Sequence, residues 1–199
     1  MFAILAEDKS DYAMLKEIVR SICDDKSVPV IGKGFGSGSE LLKDGARELN
    51  GMAKLKAVRT VFICHDADSL DPAGKSREVM EKVIKPASLN GRLAICVVPV
   101  AMIESWILAD VNACRKVFTS LPLVREIENP ENIRHAKTEI EAICRAKAKP
   151  LYSNATHNKL IAPHLDLQKV YKRCPSFRSF ATAVDRTFGR QRPPEYWAV

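Results

Sequence analysis

The sequence predicts an α/β fold with a mostly parallel sheet flanked by helices, followed by a helical C-terminal extension. Three observations carry this reading. The runs Phe2–Ala6, Thr60–Cys64 and Leu93–Val98 are apolar without alternation, as expected of strands buried on both faces. Apolar residues at helical spacing fill the stretches between them, the βαβ pattern of a parallel sheet. Strand signals stop after Asp110, and helical patterns continue to the C-terminal region.

Phe2–Ala6 reads as a short strand ending at Glu7. Asp8-Lys9-Ser10-Asp11 is a turn in which Ser10 or Asp11 is placed to cap a helix, and Tyr12, Leu15, Ile18, Val19 and Ile22 give that helix one apolar face up to Cys23. Val28–Ile31, with Pro29, suits a short edge strand. Glycines at 32, 34, 36 and 38 make Gly32–Ser39 a loop, which leads into a helix of about Glu40–Lys56. Its backbone N–H groups, with Lys33, Gly34 and Gly36, are candidates to contact phosphate, with a plain connector as the alternative.

Val61-Phe62-Ile63-Cys64 ends abruptly in His65-Asp66-Ala67-Asp68. In an extended segment, side chains at i and i+2 point the same way, so Asp66 and Asp68 are expected as a convergent pair at the carboxyl end of a core strand. Ligands bind at that end of open α/β sheets. Ala73-Gly74-Lys75-Ser76 resembles the tail of a P-loop, but Ser69 stands where its leading glycine belongs, so no triphosphate site is expected. Lys75–Lys85 reads as a helix stopped by Pro86. Leu93–Val98 reads as a fully buried strand, and Glu104 lies in the helix that follows Pro99. Asn132–Lys147 is a strong helical pattern, 151–163 is less regular, and two more helices surround Cys174-Pro175. Gln191–Val199 is expected to be a poorly ordered tail. His65 is assigned to packing, and His157 and His164 to the surface.

Hydrophobic residues make up 46% of the 199 residues, enough for a real core. No apolar run approaches 18 residues and the N-terminus lacks a basic region, so neither a membrane span nor a signal peptide is expected. Six scattered cysteines without a C-x-x-C pair argue against a zinc site and for reduced thiols in a cytoplasmic protein. Charge is uneven. Met1–Asp110 carries 15 Lys and Arg against 16 Asp and Glu, whereas Val111–Val199 carries 16 against 8. The positive excess in the second part suits a polyanion partner, with an ordinary solvated basic surface as the alternative.

Glu7, Asp66 and Asp68 thus stand at the carboxyl ends of two predicted core strands. Mg²⁺ or Mn²⁺ takes such oxygen ligands together with water and substrate phosphates, and can activate water for phosphodiester cleavage.

Ile4-Leu5-Ala6-Glu7-Asp8-Lys9-Ser10-Asp11 followed by a helix resembles the first motif of the TOPRIM family: apolar strand, Glu, Gly, small residues, Asp. His65-Asp66-Ala67-Asp68-Ser69 resembles its D-x-D motif. The resemblance implies a Rossmann-like TOPRIM core over 1–110, with Glu7, Asp66 and Asp68 as metal-binding and catalytic acids, and a basic helical extension over 111–199. Asp8 departs from the family pattern, which has Gly there. Met102–Asp110 and Arg173–Phe180 resemble a group of small bacterial TOPRIM-like proteins, related to OLD-family nucleases and associated with OLD- or ABC-type ATPase partners in anti-phage or mobile-element loci. That likeness implies a place for Glu104 at the metal, and for Lys159 in neutralising charge on phosphate. The expected function is a Mg²⁺-dependent nuclease of DNA or RNA. The alternatives are a non-catalytic module that binds an ATPase partner or nucleic acid, and an enzyme acting on a small phosphorylated substrate.

Overall fold

The computed structural model describes residues 1–145 and 151–190. Four strands, β1 (Phe2–Ala6), β2 (Val30–Gly34), β3 (Thr60–Cys64) and β4 (Leu93–Val97), form an all-parallel sheet in the order β2-β1-β3-β4. The two central strands are buried along their whole length. Their uninterrupted apolar sequence follows from helices covering both faces. Phe2, Ile4 and Ala6 of β1 enter one core, and Ala3 and Leu5 the other.

Helix α1 (Lys9–Cys23) covers the first face through Met14, Leu15, Ile18, Val19 and Ile22. Its cap is Asp8 rather than Ser10 or Asp11. The Asp8 carboxylate accepts the N–H groups of Ser10 at 2.6 Å and Asp11 at 2.9 Å. Asp8 is extended, with φ −136°, so nothing in the turn needs glycine, and a carboxylate there satisfies otherwise unpaired helix N–H groups. Helix α2 (Gly38–Ala53) and helix α3 (Ala73–Val79), which continues through a π-helical turn at Met80–Ile84, cover the second face.

Two strands differ from the sequence reading. β2 runs further than Val28–Ile31 suggests and takes Gly32 and Gly34 out of the expected loop. A Cβ at Gly32 would lie 1.9 Å from the Ile4 carbonyl oxygen, and one at Gly34 would lie 2.2 Å from that of Asp8. Those glycines let the edge strand approach β1 and the turn behind it. β4 is the opposite edge rather than a fully buried strand. It pairs only with β3, and Leu93 is 62% exposed. Buried and edge strands share the same apolar run, and strand order alone separates them.

Beyond β4 the regular elements among the described residues are helices: α4 (Glu104–Ala109), α5 (Ala136–Arg145), α6 (Asn154–Ile161), α7 (Leu167–Arg173) and α8 (Pro175–Phe188). The expected end of α5 at Lys147 and the tail Gln191–Val199 lie outside the described residues. The irregular stretch is helix α6, whose pattern is obscured because its inward residues include His157 and Asn158. α6 and α8 pack against α1. Trp106 of α4 lies 5.1 Å from Phe177 and 5.7 Å from Phe180, and Phe180 reaches Phe62 of β3 at 5.1 Å, all between ring centroids. The C-terminal helices therefore share the core of the sheet's first face. Among the described residues no helix is long and apolar enough to cross a membrane.

Gly32→Ala is expected to lower stability by about 3 kcal/mol, because a backbone carbonyl cannot move aside as a side chain would. Urea unfolding of the purified variant measures it.

Candidate functional site

The strand order places a topological switch point between β1 and β3, because the chain leaves them toward opposite edges. Glu7 follows β1 and Asp66 follows β3. The parallel register pairs Ala6 with Cys64, so the residues just past the two strands meet.

Glu7 is held from three directions. Nδ1 of His65 lies 3.0 Å from its Oε2 and 2.9 Å from the Asp66 carbonyl, and the backbone amides of Asp66 and Gly38 lie toward the carboxylate and favour its charge. Gly38 opens α2, so the positive end of that helix faces the carboxylate. Burial works to raise the Glu7 carboxyl, but His65 and the two amides outweigh it and hold it below its ordinary value. The fit depends on glycine. A Cβ at residue 38 would sit 2.5 Å from His65 Nε2 and 3.2 Å from the Glu7 carboxyl carbon.

His65 is 2% exposed and contacts Glu7, so its role is not the packing alone that strand alternation suggests. The alternation ends because β3 stops at Cys64. For the same reason Asp66 and Asp68 do not form the expected pair. Asp66 turns inward, where its Oδ1 accepts the Ile103 N–H at 3.0 Å. Asp68 is exposed, in a left-handed conformation with φ 54°, and its N–H is bonded to the Ala101 carbonyl at 2.9 Å.

Asp11 and Glu104 gather around Asp66. Burial first, then the charges of Asp11, Glu104, Glu7 and Asp68, push the Asp66 carboxyl well above its ordinary range. Burial and the charges of Asp8, Glu104 and Glu7 do the same to Asp11, which is 5% exposed. Glu104 is 4% exposed and is also raised by burial, against the pull of Asn158, whose Nδ2 donates to its Oε1 at 3.0 Å. The Tyr152 hydroxyl in turn bonds to Asn158. The inward residue of α6 is thus Asn158, while Lys159 is exposed. His157 is buried, with Nδ1 at the Ser153 backbone, in place of the expected surface position; His164 is exposed.

The glycine segment has partners within the chain. Lys33 Nζ lies 3.0 Å from Glu48 Oε1, and the Gly36 N–H donates to Glu40 Oε2 at 2.9 Å. Sequence reasoning missed Asp11 as a site acid and Asn158 altogether. A signal for Asp11 was its place one helical turn after Glu7. Asn158 had none.

The donor set suits a hard divalent cation, which favours carboxylate oxygen and keeps water in its shell. Oε2 of Glu7 and Nε2 of His65 are buried with no directed hydrogen bond, a feature that marks functional positions. Among the described residues no group of three or more His, Cys, Asp or Glu side chains is placed to hold a metal ion. An ion would rest on one or two of these carboxylates, with water and substrate completing its shell.

A carboxyl raised on folding binds its proton more tightly in the native state, so stability falls as pH rises past the unfolded value. Asp66→Asn keeps an acceptor for the Ile103 N–H and removes the charge. In EDTA at pH 7–8 it should raise the melting temperature by a few degrees, about 2–4 °C per kcal/mol. The gain should fade toward pH 4, near the ordinary value of 3.8. Melting curves across pH test the sign.

No curated protein and no solved structure matches the chain. A family model described as a domain of unknown function, DUF4276, matches residues 6–185, from the last residue of β1 to the last turn of α8. The chain belongs to the DUF4276 family.

Proposed function

We propose that this protein is a TOPRIM-type nuclease that hydrolyses phosphodiester bonds of DNA or RNA with Mg²⁺ or Mn²⁺. The observation that carries the reading is the gathering of half-buried Asp66 with buried Asp11 and Glu104, all three carboxyls raised by burial and Asp66 further by the charges of the other two, beside an ionised Glu7 at the switch point. Buried carboxylates without a counter-cation oppose folding, and sites of this kind are retained where they bind a cation or a reacting group. A divalent ion would supply activated water and stabilise the leaving oxygen.

The chain's own residues set the stage for that chemistry. Glu7 stays ionised through His65 and two backbone amides. The Ile103 N–H fixes one oxygen of Asp66, and Asn158 with Tyr152 fixes Glu104. Asp68, exposed at the rim, is placed to meet substrate or solvent-borne ligands. The basic excess beyond Val111 supports backbone contacts to nucleic acid. Six free cysteines support a reducing, cytoplasmic setting. The likeness to OLD-associated proteins supports an ATPase partner in a defence system.

The rival reading is a non-catalytic module that binds an ATPase partner or nucleic acid. That no group of three or more His, Cys, Asp or Glu among the described residues is placed to hold a metal ion favours it.

Plasmid, single-stranded DNA and tRNA incubated with Mg²⁺, Mn²⁺ or EDTA separate the two. Metal-dependent cleavage that Glu7→Gln and Asp66→Asn abolish is the expected result. Asn158→Leu should slow it about 10–100-fold by freeing Glu104. Binding without cleavage in every metal, unchanged in both acid variants, supports the module instead.

A further inference from the structure

A cleft of about 670 Å³ lies between α8 and the amino ends of β3 and β4. The acid cluster lies past the carboxyl ends of the strands, so the two sites are separated by the length of the sheet, roughly 16 Å for five residues. The cleft exists because of what α8 presents to it. Phe177, Phe180, Ala181 and Val184 fill the core, whereas the neighbouring stripe at 179, 182, 183, 186 and 187 is Ser, Thr, Ala, Arg and Thr. Small and hydroxylated side chains there leave the β4 face uncovered, with Leu93 exposed and Ile95 half-buried. Large apolar residues on the stripe would have closed it.

The cleft is cationic on both sides, with Arg59 beside Leu93 at the strand ends and Arg178 and Arg186 on α8. Arg59, Arg178 and Arg186 line the cleft, and among the described residues no Asp or Glu does. Arg178 is anchored, donating Nε to the Tyr171 carbonyl at 2.8 Å and Nη2 to that of Lys172 at 2.7 Å. Among the described residues the guanidinium groups of Arg59 and Arg186 have no hydrogen-bond or ion-pair partner. The hydroxyls of Thr60 and Thr187, 2.9 Å apart, sit between the two strand ends and α8.

We propose that this cleft binds a phosphorylated nucleoside. Two unpartnered guanidiniums and adjacent hydroxyls suit a phosphate dianion, which arginine holds through charge-assisted, forked hydrogen bonds. An aliphatic surface of two side chains suits one planar base. The volume falls in the range of small-ligand sites, about 300–1,000 Å³. The site does not depend on the nuclease reading, because it shares no residue with the acid cluster.

Isothermal titration of the full chain with AMP, ATP, inorganic phosphate and a short oligonucleotide tests it. The expected result is mononucleotide binding that Arg59→Ala and Arg186→Ala each weaken about tenfold. Leu93→Ser should weaken the nucleotide and leave inorganic phosphate unchanged, and Asp66→Asn should bind as the parent does. Arg59, Arg186 and Leu93 are exposed, so circular dichroism should show all three variants folded. No mononucleotide binding at millimolar concentration, binding undiminished in the double arginine variant, or binding of the oligonucleotide alone would each overturn the proposal. Phosphate binding as tight as AMP binding would do so too.

Discussion

The parallel pairing of β1 with β3 is the constraint on which everything else rests. Register brings Ala6 beside Cys64, and one residue further Glu7 meets the backbone and side chains that follow β3. Both strands are buried on both faces, so neither can slip without exposing apolar side chains to the wrong layer. The close approach of β2 and of α2 depends on the same pair. Gly32 and Gly34 seat the edge strand against β1 and Asp8, and Gly38 seats a helix N-terminus against Glu7 and His65.

At the carboxyl ends the molecule concentrates negative charge where solvent is scarce. Glu7 is compensated by an imidazole, two amides and a helix terminus. Asp66 and Glu104 receive far less, one hydrogen bond from the Ile103 amide and one from Asn158, and with Asp11 they stand against burial and the charges of neighbouring carboxylates. Such a cluster opposes folding at neutral pH, because each charged carboxyl must give up solvent among like charges. The same end of the sheet holds one compensated and several uncompensated carboxylates, the kind of division that separates roles in acid–base and metal chemistry.

The C-terminal helices do more than extend the chain. α6 supplies Asn158 to the acid cluster, and α8 closes the first core through Phe177 and Phe180 while leaving a cleft at the far end of the sheet. The basic part of the sequence is therefore built into both ends of the α/β core instead of lying beside it.

Much of this was legible in the residues. Unbroken apolar runs identified β1, β3 and β4, helical periodicity identified α1 and α8, and the acids after two core strands pointed to the candidate site. Local pattern failed where neighbours in space decide. Asp66 and Asp68 were expected to converge, but β3 ends at Cys64 and the chain turns through a left-handed Asp68. His65 was assigned to packing because strand alternation was assumed to continue past the strand's end. Leu93–Val98 was assigned to the interior because an edge strand can carry the same apolar run as a central one. The sequence by itself determined which segments are strands and helices, since burial writes its period into the apolar positions. Only the tertiary structure decided which acids meet, what Asn158 holds, and which strand face is left bare, because those depend on strand order and helix placement, which no local period records.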